Sequence, residues 1–196
     1  MTAFRLGLTG SIGMGKSTTA AMFRDEGVPV WDADAAVHRL YAQGGAGAAA
    51  LARDFPDAVT GGVVSREALK TILARDPRRL SRLEALVHPL VAADRDSYLA
   101  ETASNLVVLD IPLLFEKGTD LMCDASLLVT APPALQHARV LARPGMTEAQ
   151  FHLILSRQMP DPEKRARASH IVETLSLDQV RAYVRALIDH IRASHA

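Results

Sequence analysis

Apolar runs alternate with helical patterns from one end of the chain to the other. The runs Phe4–Thr9, Val28–Asp32, Leu106–Ile111, Ser126–Thr130 and His170–Val172 are short, rich in β-branched and aliphatic residues, and read as strands. Between them, apolar residues recur at the three-and-four spacing of one buried helix face. The longest such stripe is carboxy-terminal, with Val180, Tyr183, Val184, Leu187, Ile188 and Ile191 in phase and Ser176 with Gln179 placed to cap its start. Strands that alternate with helices predict an α/β fold, a five-stranded parallel sheet covered by helices in three layers.

Between the second and third strands this alternation stops. For about 70 residues the pattern is helical, with no convincing buried strand, which predicts a helical insertion. Its pieces are punctuated by "GGAG" at Gly44–Gly47, by "TGG" at Thr60–Gly62, and by Asp76 and Pro77, a cap followed by proline at a helix start. Leu80, Leu83, Leu86 and Val87 make the apolar stripe of the helix that follows.

Composition narrows the classes. With 196 residues, one core with a smaller insertion is expected rather than two independent domains. The 22 basic and 22 acidic residues cancel to a net charge of +0, so no overall field attracts nucleic acid or a membrane surface, and anion affinity must come from local clusters. A single cysteine, Cys123, suits a reducing setting. The amino-terminal stretch has no cleavable-leader pattern and no apolar run approaches a bilayer span, so the chain reads as soluble, unprocessed and cytoplasmic.

The strongest chemistry is "TGSIGMGKST", Thr9 to Thr18. Gly10, Ser11, Ile12, Gly13, Met14, Gly15, Lys16 and Ser17 fit the eight-position phosphate-loop pattern, after a predicted strand and before a predicted helix. In that context backbone N–H groups and the positive helix end converge on phosphate oxygens. Lys16 supplies a point charge at the β/γ-phosphates and Ser17 a hydroxyl to Mg²⁺, so a nucleoside triphosphate with Mg²⁺ is expected. The guanine-reading Asn-Lys-x-Asp and the Asp-x-x-Gly of switch GTPases do not occur after the loop. A kinase needs in addition a group that holds an acceptor hydroxyl and a mobile cover that excludes water.

Candidates for both are present. The second strand ends in "WDAD", which places Asp32 or Asp34 where an acceptor hydroxyl would be oriented, or makes them a polar helix start. The third strand ends in Asp110, a candidate metal-site carboxylate, followed by "IPLLFE", whose Leu113, Leu114 and Phe115 are either core or substrate contacts. Residues 139–167 hold six Lys/Arg against three acids, an excess that suits a two-helix lid turned towards the triphosphate, with Arg143 and then Arg139 as the leading charges. A second helix of this lid is capped by Thr147 with Gln150.

Taken together, "LTGSIGMGKST", "DAD" at 32–34, "LVHPLV" around His88 and Pro89, "DIPLLFE" at 110–116 and the basic stretch ending at Gln158 resemble the dephospho-CoA kinases, in that family's order and over nearly the whole chain. The resemblance implies a phosphate-loop kinase fold: core segments 1–34, 104–138 and 168–196, a helical acceptor region over 35–103 and a lid over 139–167. It implies ATP and dephospho-CoA as substrates, with Mg²⁺, and phosphorylation of the ribose 3′-hydroxyl. Carried over, Lys16, Asp34 and Arg143 are catalytic. The loop residues Gly10 to Thr18, with Arg139 and Arg143, bind ATP; Asp32, His88, Pro112, Leu113, Leu114 and Glu116 face the acceptor; Ser17 and Asp110 serve the metal. A monomer is favoured. The chain departs from the family pattern in two places: at variable positions of the phosphate loop, where Ser11 stands for glycine and Met14 for a small residue, and in "ASHIVET", where Ser169 stands where the family has Asp and Thr174 where it has Asn. The residues alone also allow a nucleoside or nucleotide kinase, or a nucleotide-binding regulator without turnover.

Overall fold

The computed structural model describes residues 3–195, and these divide into two compact units, 3–31 with 103–195, and 32–102.

The first unit is built on a sheet. Strand β1 (Phe4–Thr9) leads through the glycine loop into helix α1 (Lys16–Asp25), and β2 (Val30–Asp32) follows. The predicted second strand began at Val28, but Val28 donates its N–H to Phe23 O at 2.9 Å, closing the end of α1, and Pro29 has no N–H to give. Gly27, with φ of 74°, makes that reversal possible. The sheet order is β2, β5, β1, β6, β7, counting the strands of the whole chain: β5 (Leu106–Asp110), β6 (Ala125–Thr130) and β7 (His170–Glu173) all lie in this unit. β1 pairs in parallel with both β5 and β6, with Leu6 opposite Val108 and Ala125, and β6 pairs in parallel with β7.

Alternation along these strands gives two faces. Leu6, Leu8, Leu106, Val108, Leu127, Val129 and Val172 face a core shared with Ala20, Met22 and Phe23 of α1 and with Val180, Val184, Leu187, Ile188 and Ile191 of the last helix, α9 (Leu177–Ser194). That is the predicted stripe, and Ser176 caps it by accepting the N–H of Gln179. On the other face a side chain at Gly7 would strike Cys123 and Leu114, and Thr130 Oγ1 donates to Asp161 of α8 (Asp161–Arg167) at 2.8 Å. The unit is therefore a three-layer α/β sandwich. α6 (Pro133–Leu141) and α7 (Glu148–Leu155) precede α8, and Thr147 and Gln150 form a reciprocal capping box on α7.

The second unit is mainly helical: α2 (Ala33–Tyr41), α3 (Ala46–Leu51), α4 (Arg66–Arg75) and α5 (Arg79–Glu101) surround Leu51, Phe55, Ala58, Val64, Leu69 and Val87. The sequence reading missed a two-stranded hairpin here, β3 (Val59–Thr60) with β4 (Val63–Val64). Its turn is Gly61-Gly62, both with positive φ, the glycine pair that a tight hairpin requires. Helix α5 runs through Pro89. Of its predicted stripe Val87 is buried, Leu83 and Leu86 pack on the core, and Leu80 is exposed.

Candidate active site

The glycine loop turns from β1 into α1 because two glycines take backbone conformations that other residues avoid. Gly13 has φ of 78° and Gly15, the residue before α1, φ of 96°. A side chain at Gly13 would meet Val140 at 2.5 Å, so the loop also lies directly on α6.

Three side chains from distant segments hold its peptide groups. Gln136 Nε2 donates to Ile12 O at 2.8 Å, Ile12 N donates to Gln158 Oε1 at 3.1 Å, and Thr174 Oγ1 donates to Met14 O at 2.8 Å. Ile12 thus has both backbone groups bonded to side chains and offers neither to a ligand. Neither Gln136 nor Thr174 was predicted as a site residue. A signal for Gln136 existed: it shares the buried face of α6 with Val140, four residues on, and a glutamine on a buried stripe must find a partner.

At the start of α1, Lys16 Nζ is bonded to Asp110 Oδ1 at the end of β5, and the Asp110 side chain is 4% exposed. The lysine predicted for the phosphates and the carboxylate predicted for the metal therefore meet. Ser17 and Thr18 lie exposed in the first turn of α1. Beside the loop opens a cavity of about 360 Å³, lined by Gly13, Gly15, Thr18, Arg139, Arg143 and residues 174–177 among others. Arg143 is exposed, just beyond α6. Arg139 is fixed, donating from Nη1 to Thr174 Oγ1 at 2.7 Å and from Nη2 to Thr174 O at 2.6 Å.

In the segment after β5, Pro112, Leu113 and Glu116 are partly exposed and one predicted acceptor residue, Leu114, departs from its role. Leu114 is fully buried against the sheet, so it is a core residue and its side chain cannot touch an acceptor. Pro112 accepts from Thr9 Oγ1 through its carbonyl. Glu116 accepts the N–H of Met159 at 2.8 Å, and its Oε1 stands 2.9 Å from Nζ of Lys164, which is 0% exposed. Burial works to raise the Glu116 pKa, but the Lys164 ammonium and backbone N–H groups outweigh it and hold the carboxyl below its usual range. Its second oxygen, Oε2, is buried without a hydrogen bond.

The three cations of α8 are likewise committed within the fold. Lys164 pairs with Glu116; Arg165 bonds Asp161, Thr130 and Glu173; Arg167 bonds Asp120 and Phe115 O and stacks on the Phe115 ring at 5.0 Å. These contacts dock α8 on the sheet. The leading charges expected at a triphosphate are Arg143 and Arg139, and the α8 cations, which are not among them, face carboxylates of their own unit.

The remaining candidates lie in the second unit. Asp32 caps α2, its Oδ1 accepting the N–H of Ala35 at 2.9 Å, while Asp34 is exposed in the first turn of the same helix. His88 is exposed on α5, beside Pro89.

Comparison with known proteins agrees with this geometry. The family model described as dephospho-CoA kinase matches residues 4–178. A dephospho-CoA kinase of Cereibacter sphaeroides is 68% identical over 192 residues, covering 98% of each chain. A solved structure from Thermus thermophilus superposes with a TM-score of 0.86 at 39% identity, covering 97% of this chain and 98% of that one. A dephospho-CoA kinase from Campylobacter jejuni, at 20% identity and a TM-score of 0.66 over 97% and 98% of the two chains, has the same fold.

Proposed function

The chain belongs to the dephospho-CoA kinase family, and from that premise we propose that it transfers the γ-phosphoryl group of ATP to the ribose 3′-hydroxyl of dephospho-CoA, giving coenzyme A and ADP, the last step of coenzyme A synthesis. The observation that carries the reading is the meeting of Lys16 with Asp110 beside a glycine loop braced by three side chains and open to a cavity.

The triphosphate is assigned to the loop. The peptide N–H groups of Gly13 and of Gly15 to Ser17, with the positive end of α1, bind its oxygens, Met14 N–H being donated to Ser11 O, and Lys16 exchanges part of its contact with Asp110 for the β/γ-phosphates. Phosphoryl transfer passes through a loose transition state, so these groups act by position and charge, with no covalent step on the protein. Arg143, exposed at the cavity, is assigned to the charge that develops on the transferring group, and the stretch from Arg143 to Gln158 is the cover that excludes water. Asp34 is assigned to hold the acceptor hydroxyl and accept its proton as transfer completes; Asp32 and His88 are assigned to acceptor binding. The setting assigned to the reaction is the cytoplasm, with both substrates small molecules and the enzyme a monomer.

Magnesium fits the residues present. Ser17 and Asp110 are hard oxygen donors, and among the described residues no group of three or more His, Cys, Asp or Glu forms a cage of its own. Mg²⁺ is commonly held by one or two protein oxygens together with substrate phosphates. Bound there, it would neutralise phosphate charge, with Ser17 and Asp110 as its protein contacts.

The reading is tested by following ADP release against dephospho-CoA, adenosine and AMP, and by locating the new phosphate by NMR. Turnover with dephospho-CoA alone, phosphorylated at the 3′ position, is expected; turnover with adenosine or AMP in its place overturns the reading. Asp34→Asn is expected to bind ATP·Mg²⁺ as the parent does and to turn over at least ~10²-fold more slowly.

A further inference from the structure

Thr174, one of the residues at which the chain departs from the family pattern it resembles, sits at the junction of the loop and the cavity. It is 7% exposed, and its own N–H is anchored to Thr130 O at the end of β6. Its hydroxyl has one proton and two lone pairs. Arg139 donates to it at 2.7 Å, and the carbonyls of Met14, at 2.8 Å, and Thr130, at 3.2 Å, compete for its proton. The shorter bond goes to Met14. A charged guanidinium donor thus polarises a hydroxyl that in turn holds a loop carbonyl, and each bond of such a chain strengthens the next.

The carbonyl so held matters for its peptide partner. Met14 C=O and Gly15 N–H belong to one peptide plane, and the described residues contain no cis bond, so the two groups point in opposite directions. Fixing the carbonyl on Thr174 turns the Gly15 N–H away from Thr174. The absent side chain of Gly15 is what lets Thr174 approach, since a Cβ there would lie 3.1 Å from Thr174 Cγ2.

We propose that Thr174 is a positioning residue for nucleotide binding: its hydroxyl sets the Met14–Gly15 peptide for a phosphate oxygen and holds Arg139 at the cavity in the same bond chain. This rests on the assignment of the triphosphate to the loop, and extends it to a residue outside the phosphate-loop pattern.

The test compares Thr174→Val, which keeps the shape and removes the hydroxyl, with Thr174→Ser, which keeps the hydroxyl. ADP·Mg²⁺ is titrated by calorimetry, and kcat and KM for ATP are measured separately. Loss of one charge-assisted hydrogen bond predicts ADP binding ~10-fold weaker in Thr174→Val, with KM for ATP raised in proportion and kcat within about threefold, and Thr174→Ser within about twofold of the parent throughout. A Thr174→Val protein that binds ADP within about twofold of the parent, whatever its thermal stability, overturns the proposal, as does a serine variant as weak as valine. If Thr174→Val does not fold, Thr174→Ala against Thr174→Ser makes the same comparison, because both lack the methyl group; equal affinities overturn the proposal. The ADP titration contains no acceptor, so a parent that binds ADP yet fails to phosphorylate dephospho-CoA overturns the proposed reaction and leaves this comparison standing.

Discussion

The glycine loop at residues 10–18 and the basic stretch at 139–167 are both candidate triphosphate contacts, and they differ in how far their residues constrain the backbone. In the loop, function follows from backbone conformation: positive φ at Gly13 and Gly15 is needed to form the turn at all, and few residue types supply it. In the basic stretch, function was inferred from a count of charges. A guanidinium or ammonium bonds whichever carboxylate the fold brings near, and for Lys164, Arg165 and Arg167 these are Glu116, Asp161, Glu173 and Asp120. Spacing of glycines constrains geometry, whereas an excess of one charge does not.

The largest effect that probes this contrast is at Lys16. Lys16→Ala removes the loop's charge and leaves Asp110 without its ammonium partner, and turnover is expected to fall by ~10² or more. Near-parental kcat in a steady-state ADP-release assay would place Lys16 with the α8 cations, as a structural ion pair to Asp110 only.

What the sequence made legible follows the same division. The strand Phe4–Thr9, the α9 stripe and the Thr147–Gln150 box are local patterns, and each forms where its residues predict it. The braces on the loop join residues 124, 146 and 160 positions apart, and no local period encodes such pairs. Leu114 shows the limit from the other side. An apolar residue after a strand suits a core and a substrate arm equally well, and only the approach of Gly7 beneath it decides for the core. The hairpin Val59–Val64 was missed for a different reason: two-residue strands are too short to show alternation, though their Gly61-Gly62 turn was in view.

Glu116 tests the comparison from the structural side. Glu116→Gln keeps an oxygen for Met159 but leaves the fully buried Lys164 without a counter-charge, a change of about 3 kcal/mol or more. For a chain of this size that corresponds to a fall in Tm of roughly 6–12 °C, read by calorimetry. The pH dependence fixes the sign. Because the folded-state pKa of Glu116 lies below the ordinary value of 4.5, its contribution is complete above that value and is lost as pH falls through the folded-state pKa. The variant should therefore lose less stability than the parent between neutral pH and acid. A variant with unchanged Tm and a raised KM for dephospho-CoA would restore Glu116 to the acceptor, where the family resemblance put it.

Arg143 is the cation of the basic stretch assigned to the transferring group. Arg143→Ala is expected to lower kcat ~10-fold with a smaller change in KM for ATP, the pattern of an interaction made mainly in the transition state. An effect on KM alone would make it a ground-state contact. Unchanged kinetics would extend the structural reading from α8 to the whole of 139–167.

Arg167→Lys is the smallest change and the most discriminating, because it keeps the charge and removes only what is particular to arginine. The guanidinium reaches Phe115 O at 3.2 Å and Asp120 at 2.9 Å and lies over the Phe115 ring, a planar fork and stack that an ammonium cannot reproduce. The side chain is 41% exposed, so the pair with Asp120 is partly screened and the loss is expected to be about 1 kcal/mol, or a fall in Tm of roughly 2–4 °C. If α8 is docked structure, kcat and KM for ATP stay within about twofold, since the charge near any nucleotide is unchanged and the loop's braces at Gln136, Gln158 and Thr174 are untouched. A lysine variant of parental Tm with a lowered kcat would mean that this guanidinium acts on the reaction by its geometry. The basic stretch would then resemble the glycine loop after all, with conformation rather than charge count as the carrier of function.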